Sequence, residues 1–521
     1  MSGPIGTSQL MYSAAAGDFY SHQIANSVRF NRTDGSYLNR TIQAGGDLRK
    51  WTMSCWFKLS AGIGFGGNQY YLMTSKLSSS YDTMIFDVDS DNLFYYQTAG
   101  KYYKPNGAFR DPTAWGHLVV VYDSDNGTAA DRKIVYLNGT RLSVNDSQQI
   151  GQNVDSKFNS NSVHYIGARQ DNNASYYGDF YLAELIWADG QAYAPSQFGE
   201  SKNGAWIPKN PSGTNFGTTG YHLKFTNSSD FGEDFSGNNN DWTANSMATH
   251  DQTTDTPTFN DTNAGNFATM NPLTAGTDSP ELADGNLRMD NFSGSDIAGA
   301  LATYGLPPQS GKWYFECFIN SPNSGDNYPF VGLTADAFNI NATKGVSQRD
   351  LSYNLGTGGS SSSTTYIGTI TTTFTGHNAY ADNTVMGVFV DMNARKLWYA
   401  KDGSFFNSGN PQTGANASYA WTNDVTLIPH FVSFSGYGAD SIFNFGQEGT
   451  FAGNKTAGDN ADVTGYGNFL YDPGDYKALC TGNFPTPSTD PADNNEPTKN
   501  HGCILYTGTG QGSQAQTGLG F

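Results

Sequence analysis

The feature that most constrains what this chain can fold into is a period of two. In Trp51-Thr52-Met53-Ser54-Cys55-Trp56-Phe57-Lys58-Leu59 the odd positions are apolar and the even ones mostly polar. That is the pattern of a strand with one face in a core. Residues 118–122 are continuously apolar, as in a strand covered on both faces. Residues 134–137 follow and close on Asn138-Gly139, a strong hairpin signal. Residues 180–187 form another strand, which ends at Asp189-Gly190. The pattern returns in residues 312–319, with Trp313, Phe315, Cys317 and Ile319 on one side. An apolar strand over 385–390 then turns at Asp391-Met392-Asn393-Ala394, returns through 396–400 to Asp402-Gly403, and residues 441–446 close the series.

Composition agrees with sheets joined by tight turns. The chain carries 61 Gly, 31 Tyr and 33 Phe, and charged residues are only 14%, against roughly 25% in ordinary globular chains. No segment longer than about ten residues has clean helical periodicity, and residues 8–25 are the best helix candidate. The reading is all-β, with two antiparallel β-sandwiches in tandem. Its expected boundaries are an attachment segment over 1–25, a sandwich over 26–242, a linker or extended strap over 243–280, a second sandwich over 281–470, and an extended tail over 471–521.

The formal net charge is -19, and Lys and Arg form no run. Nucleic acid is thereby disfavoured as a partner, because phosphate is usually met by a basic face. No stretch approaches 18 apolar residues and the N-terminus has no signal-peptide pattern, so neither membrane insertion nor export is expected. Cys55 and Cys317 lie in strand patterns and read as core residues, while Cys480 and Cys503 stand 23 apart and leave their pairing open.

The first half resembles the laminin-G-like, concanavalin A-like lectin/glucanase family. Trp51 to Lys58, Trp115-Gly116-His117-Leu118-Val119-Val120-Val121-Tyr122-Asp123, Val135-Tyr136-Leu137-Asn138-Gly139, Tyr165-Ile166-Gly167 and Tyr181-Leu182-Ala183-Glu184-Leu185-Ile186-Trp187 carry that likeness. Asp189-Gly190-Gln191-Ala192-Tyr193-Ala194-Pro195-Ser196-Gln197-Phe198-Gly199-Glu200, Gly220 to Phe225 and Asp234-Phe235-Ser236-Gly237-Asn238-Asn239-Asn240-Asp241-Trp242 resemble bacteriophage particle proteins of this type. The second half is similar to the SPRY family through Gly311-Lys312-Trp313-Tyr314-Phe315-Glu316, Val331-Gly332-Leu333, Val388-Phe389-Val390-Asp391, Leu397-Trp398-Tyr399, Asp402-Gly403 and Phe443-Asn444-Phe445-Gly446-Gln447. The resemblance implies two concanavalin A-like jelly rolls on the exterior of a virion, made in the host cytoplasm. The partners it implies are other phage structural proteins and a host-surface glycan. A homotrimer is one assembly open to it, although no heptads support one. The end of the chain, from Tyr506-Thr507-Gly508 to Phe521, reads like the entry into a further module.

The family also contains glycoside hydrolases, which place carboxylates at E-x-D-x-x-E on one strand face. That spacing is missing here: Glu184 is followed by Ile186 and Asp189, and Glu316 is flanked by Phe315 and Cys317. No catalytic residue is assigned. The stretch from Asp87 to Asn92 opens like a calcium loop but lacks its later Gly and Glu, and reads as a hairpin turn. The eight histidines have no zinc-binding spacing. No metal or cofactor is expected. Sugar binding takes flat aromatic faces beside amide and carboxylate groups; the turn-adjacent pairs Tyr70-Tyr71, Tyr102-Tyr103 and Tyr176-Tyr177 supply that chemistry, with Asp171, Asn173, Tyr176 and Tyr177 the first candidates and Tyr102 and Tyr103 the next. The leading expectation is an adhesin or fibre that holds a glycan without cleaving it. A capsid-decoration or tail-attached protein acting through protein contacts and a polysaccharide depolymerase are the alternatives.

Overall fold

In the computed structural model, residues 19–485 are described, apart from 61–68, 78–79, 88–92, 99, 106–108, 110, 145–147, 171–174, 261, 275–280, 291–296, 321–329, 336–350, 355–362, 366–367, 371–382 and 435–439. They form strands, turns and short 3-10 segments. Among them no helix is long and apolar enough to cross a membrane. Of the candidate helix over 8–25, residues 1–18 lie outside the described set and 19–25 are not helical.

The first sandwich has two antiparallel sheets. One runs in the order Thr140–Arg141, Lys133–Leu137, Gly116–Asp123, Lys50–Leu59, Phe180–Asp189, Ser27–Phe30, Gln252–Thr253, with Tyr221–Leu223 also paired to Phe180–Asp189. The other runs Thr243–Asn245, Tyr37–Thr41, Val163–Ile166, Gln69–Leu77, Ser80–Asp87, Leu93–Thr98, Lys101–Tyr103. Trp51, Met53, Cys55, Phe57 and Leu59 meet Leu72, Met84, Phe86 and Phe94 in the core between them. The period of two therefore aims the expected residues inward. Trp51 stacks on Trp187 at 4.5 Å and on Tyr122 at 5.4 Å, geometry that adds to plain burial.

In the second sandwich, Glu281–Ala283, Arg288–Asp290, Asp440–Asn444, Lys312–Asn320, Thr384–Asp391, Lys396–Lys401 and Ser404–Phe405 make the larger sheet. Ile297–Leu301, Ile428–Phe434, Phe330–Thr334 and Leu351–Asn354 make the smaller one. Trp313, Phe315, Cys317 and Ile319 lie in its core beside Leu333, Val388 and Phe431.

The even positions of Lys50–Leu59 are a surprise. Thr52, Ser54, Trp56 and Lys58 are buried too, because the outer face of this sheet is covered. Ile24 and Trp115 pack there with Trp56 and Tyr181. Residues 243–274 apart from 261, rich in Thr, Asn and Asp, run as a strap along both sandwiches. Its start adds Thr243–Asn245 to one sheet and Gln252–Thr253 to the other. It then crosses to the second sandwich, where Phe267 pairs with Cys480 and Met270 with Ala302. Lys58, 1% exposed, donates to Asp255 Oδ2 and Asn266 Oδ1, both at 2.7 Å, and to the Phe267 carbonyl. Trp115 Nε1 takes the other Asp255 oxygen at 2.8 Å.

The start of the expected tail does the same for the second sandwich. Tyr476, Ala478 and Cys480 are buried with Tyr314, Phe389 and Trp398 on the outer face of the larger sheet, so residues 471–485 are part of the domain. Cys480 is buried and Cys503 lies outside the described residues.

Glu316 fixes this cover. Its oxygens accept from the Tyr314 hydroxyl at 2.9 Å, Asn444 Nδ2 at 3.0 Å, and the backbone N–H groups of Leu470 and Tyr471 at 3.0 and 2.8 Å. Burial outweighs these donors and pushes the carboxyl up to about 7. An acid whose folded value lies above its unfolded one holds an extra proton in the folded state, so its contribution is present below the unfolded value and is lost as pH rises through the folded one. Unfolding by urea should show stability falling between pH 4.5 and about 7, by up to ~3 kcal/mol from this group. Glu316→Gln should flatten that part of the profile. An unchanged slope in the variant would exclude Glu316 as its source.

Candidate functional site

Since the strap and the N-terminal segment cover the outer face of the Lys50–Leu59 sheet, the outer face of the other sheet of the first sandwich is the one that opens. In Ser80–Asp87 the alternation sends Met84 and Phe86 into the core, and Tyr81, Thr83, Ile85 and Asp87 line an open cleft of about 900 Å³. Tyr71 and Gln69 border it from the adjacent strand, and Gln97 and Tyr102 from the strands on the other side. Lys104, Gln148, Lys157 and Arg169 complete the polar rim. The strand Gln69–Leu77 carries an irregularity between Tyr71 and Met73, and Tyr71 lies beside Arg169.

Arg169 sits among three rings. Its guanidinium lies 4.5 Å from the Tyr176 centroid, 5.3 Å from Tyr71 and 5.4 Å from Tyr81, and Nη1 donates to the Tyr71 hydroxyl at 2.9 Å. Cation–π attraction and that hydrogen bond together hold the planar fork at the cleft wall. Lys157 approaches Asp82 at 3.8 Å. Asp82 in turn takes the Ser156 hydroxyl at 2.8 Å and the Lys157 backbone N–H at 2.7 Å.

The sequence candidates divide around this cleft. Tyr102 is 44% exposed and lines it. Tyr103 points the other way, into the core, with Lys133 over its ring at 5.0 Å. Successive strand residues face opposite sides, so one tyrosine of such a pair is lost to packing. Tyr176 packs on Tyr71 at 5.6 Å, at the edge of the cleft. Tyr177 packs on Tyr37 at 6.2 Å instead. Asp171 and Asn173 lie outside the described residues. Tyr81, Gln97, Lys104, Lys157 and Arg169 were not singled out from sequence. The alternation of Tyr81, Thr83, Ile85 and Asp87 was the signal that could have found the floor.

Three other constellations look like chemistry and are structural. Ser54 Oγ lies 2.8 Å from His117 Nε2, a nucleophile–base spacing. However, Trp206 Nε1 donates to His117 Nδ1 at 2.9 Å. Nε2 must then carry the proton and cannot accept one from serine, and burial pushes the imidazole down to about 3. Glu184 lies at a bulge with φ 49°, between His22 Nε2 at 3.2 Å and His222 Nε2 at 3.3 Å. Burial favours its neutral form, but the two histidines outweigh this and hold the carboxyl at about 2; it ties the N-terminal segment to Tyr221–Leu223. Glu316 is the clamp described above. Among the described residues no group of three or more His, Cys, Asp and Glu could hold a metal ion. Asp87 pairs its strand with Leu93–Thr98, as the hairpin reading has it, and residues 88–92 of the calcium-like loop lie outside the described set.

Residues 31–187 match the family model described as the concanavalin A-like lectin/glucanases superfamily. Among solved structures, the chain is similar to the SPRY domain of human HERC1, at 17% identity over 33% of this chain and 96% of that one, TM-score 0.26. It is also similar to a heptameric SAP-like pentraxin from Limulus polyphemus, at 19% identity over 34% of this chain and 81% of the other, TM-score 0.25. The LG4-5 domains of the mouse laminin α1 chain match at 10% identity over 80% and 84% of the two chains, TM-score 0.25. No curated protein matches the chain. The fold is all-β, with two antiparallel β-sandwiches in tandem, and the family likeness covers residues 31–187 of the first.

Proposed function

We propose that this chain is a non-enzymatic carbohydrate-binding protein of a bacteriophage particle, and that the cleft lined by Tyr81 and Tyr102 holds a host-surface glycan. The observation that carries the reading is the cleft itself: tyrosine rings beside the amides of Gln69, Gln97 and Gln148 on an open sheet face. Rings pack on the apolar side of a pyranose while amides and charged groups bond its hydroxyls. Glycoside hydrolysis takes two carboxylates as a rule, and the described lining of the cleft supplies Asp87 alone. The particle setting rests on the likeness of residues 189–200 and 234–242 to phage particle proteins. That likeness supports other structural proteins as partners and the virion exterior as the location.

A glycan array probed with the purified chain tests the binding, and competition with phage adsorption tests the setting. Retention of host glycans and slower adsorption in the presence of free protein are expected. An array without signal would remove the carbohydrate reading. A position in the capsid lattice by cryo-EM, with adsorption unaffected, would favour decoration instead.

A further inference from the structure

Taking the carbohydrate reading of the cleft as its premise, we infer that the ligand is an acidic glycan, one that bears carboxylate or sulfate on more than one sugar. The chain as a whole is acidic, with 47 Asp and Glu against 28 Lys and Arg among 521 residues. The cleft reverses that balance. Of its 14 described lining residues, Lys104, Lys157 and Arg169 are cationic and Asp87 is acidic; Lys157 is paired with Asp82 at 3.8 Å, so the excess rests on Lys104 and Arg169. A solubilising surface follows the composition of the chain; a local reversal on an aromatic-lined concavity points to what the concavity receives.

The three cations are also spread across the site. Arg169 stands over the strand Gln69–Leu77 through its contact with Tyr71, whereas Lys104 follows Lys101–Tyr103 at the far edge of the sheet. Ser80–Asp87 and Leu93–Thr98 lie between. Three strand spacings, about 14 Å, separate the backbones at the two ends, so a ligand with acid groups on separate sugars can meet both. Arg169 is the element of geometry. With one face set against Tyr176 at 4.5 Å and Nη1 fixed on Tyr71, its fork is oriented before ligand arrives, and a planar fork suits carboxylate and sulfate oxygens better than lone hydroxyls.

The test uses the full chain and oligosaccharides of one backbone in neutral, uronate-bearing and sulfated forms, titrated by calorimetry at low and at physiological ionic strength. Expected are affinities at least about tenfold tighter for an acidic form than for the neutral one, as one charge-assisted hydrogen bond supplies, and weakening with salt. Comparing the two acidic forms tells carboxylate from sulfate. Arg169→Gln should remove most of the acidic preference, read within the variant as the ratio of its acidic to its neutral affinity. Because Arg169 packs on three rings, Lys104→Gln at the exposed rim gives an independent reading, with a smaller loss confined to acidic forms. Equal affinity for neutral and acidic forms would overturn this inference while leaving the carbohydrate reading in place. No binding of any form would remove both.

Discussion

Asp255→Leu will destabilise the protein by about 3–5 kcal/mol, because it leaves the Lys58 ammonium buried without its counter-charge. Lys58 Nζ lies 2.7 Å from Asp255 Oδ2, and both side chains are at most 1% exposed. Burial lowers the lysine's affinity for its proton and raises the aspartate's, and each partner offsets part of the other's cost. Lys58→Met in the same background should recover part of the loss, since two apolar side chains can replace a buried ion pair at little cost. Recovery will be incomplete. Asn266 Oδ1, the Phe267 carbonyl and Trp115 Nε1 all lose a partner in the double variant, and a buried unsatisfied group costs about 1–3 kcal/mol. Chemical denaturation of the four proteins gives the coupling. A single-variant loss under ~1 kcal/mol would show the pair to be open to water.

The second large effect is expected at Arg29. It is 1% exposed, and it donates to the carbonyls of Asp284 and His250 from the first sandwich's strand Ser27–Phe30. Burial works against its charge, but Glu448, Tyr181, Asp284 and Asp251 together hold the guanidinium more basic than usual. Burial likewise lifts Asp284 to about 6. Arg29→Met should cost about 3–5 kcal/mol at neutral pH, where those carboxylates lose their cation, and less below about pH 6, where Asp284 takes up a proton. Because Arg29 and Asp284 stand in different sandwiches, one calorimetric transition should become two. Gly285 belongs to the same seam: its carbonyl accepts the Tyr181 hydroxyl at 2.8 Å, and at φ +68° a Cβ there would run into the Tyr181 ring. A loss that is equal at pH 5 and pH 7.5, with a single transition, would mean that Arg29 does not join the sandwiches.

These sites explain what was legible in the sequence. Alternation at Trp51–Leu59 and Trp313–Ile319 reports which side chains enter a core, and both sandwiches follow from it. It is silent about what covers the other face. Lys58 reads as solvated, since its partner is 197 positions away. The Thr, Asn and Asp of the strap read as linker because those residues favour turns, yet here Asn263 and Thr258 spend their side chains on Ile24, deep under the N-terminal segment. The cleft was half legible. Tyr102 is there, Tyr103 is in the core, and Arg169 gains its meaning only from Tyr71 and Tyr176, which the fold brings to it.

The most direct test of the cleft as a non-hydrolytic glycan site is a calorimetric titration with an oligosaccharide that the chain retains, repeated on Tyr81→Ser/Tyr102→Ser, with the sugar recovered afterwards by mass spectrometry. A glycan-holding cleft predicts a loss of at least about thirtyfold in affinity, ~2 kcal/mol for removed ring contacts, at unchanged thermal stability, and an intact ligand. Unaltered affinity in the double variant, or a shortened sugar, would contradict it.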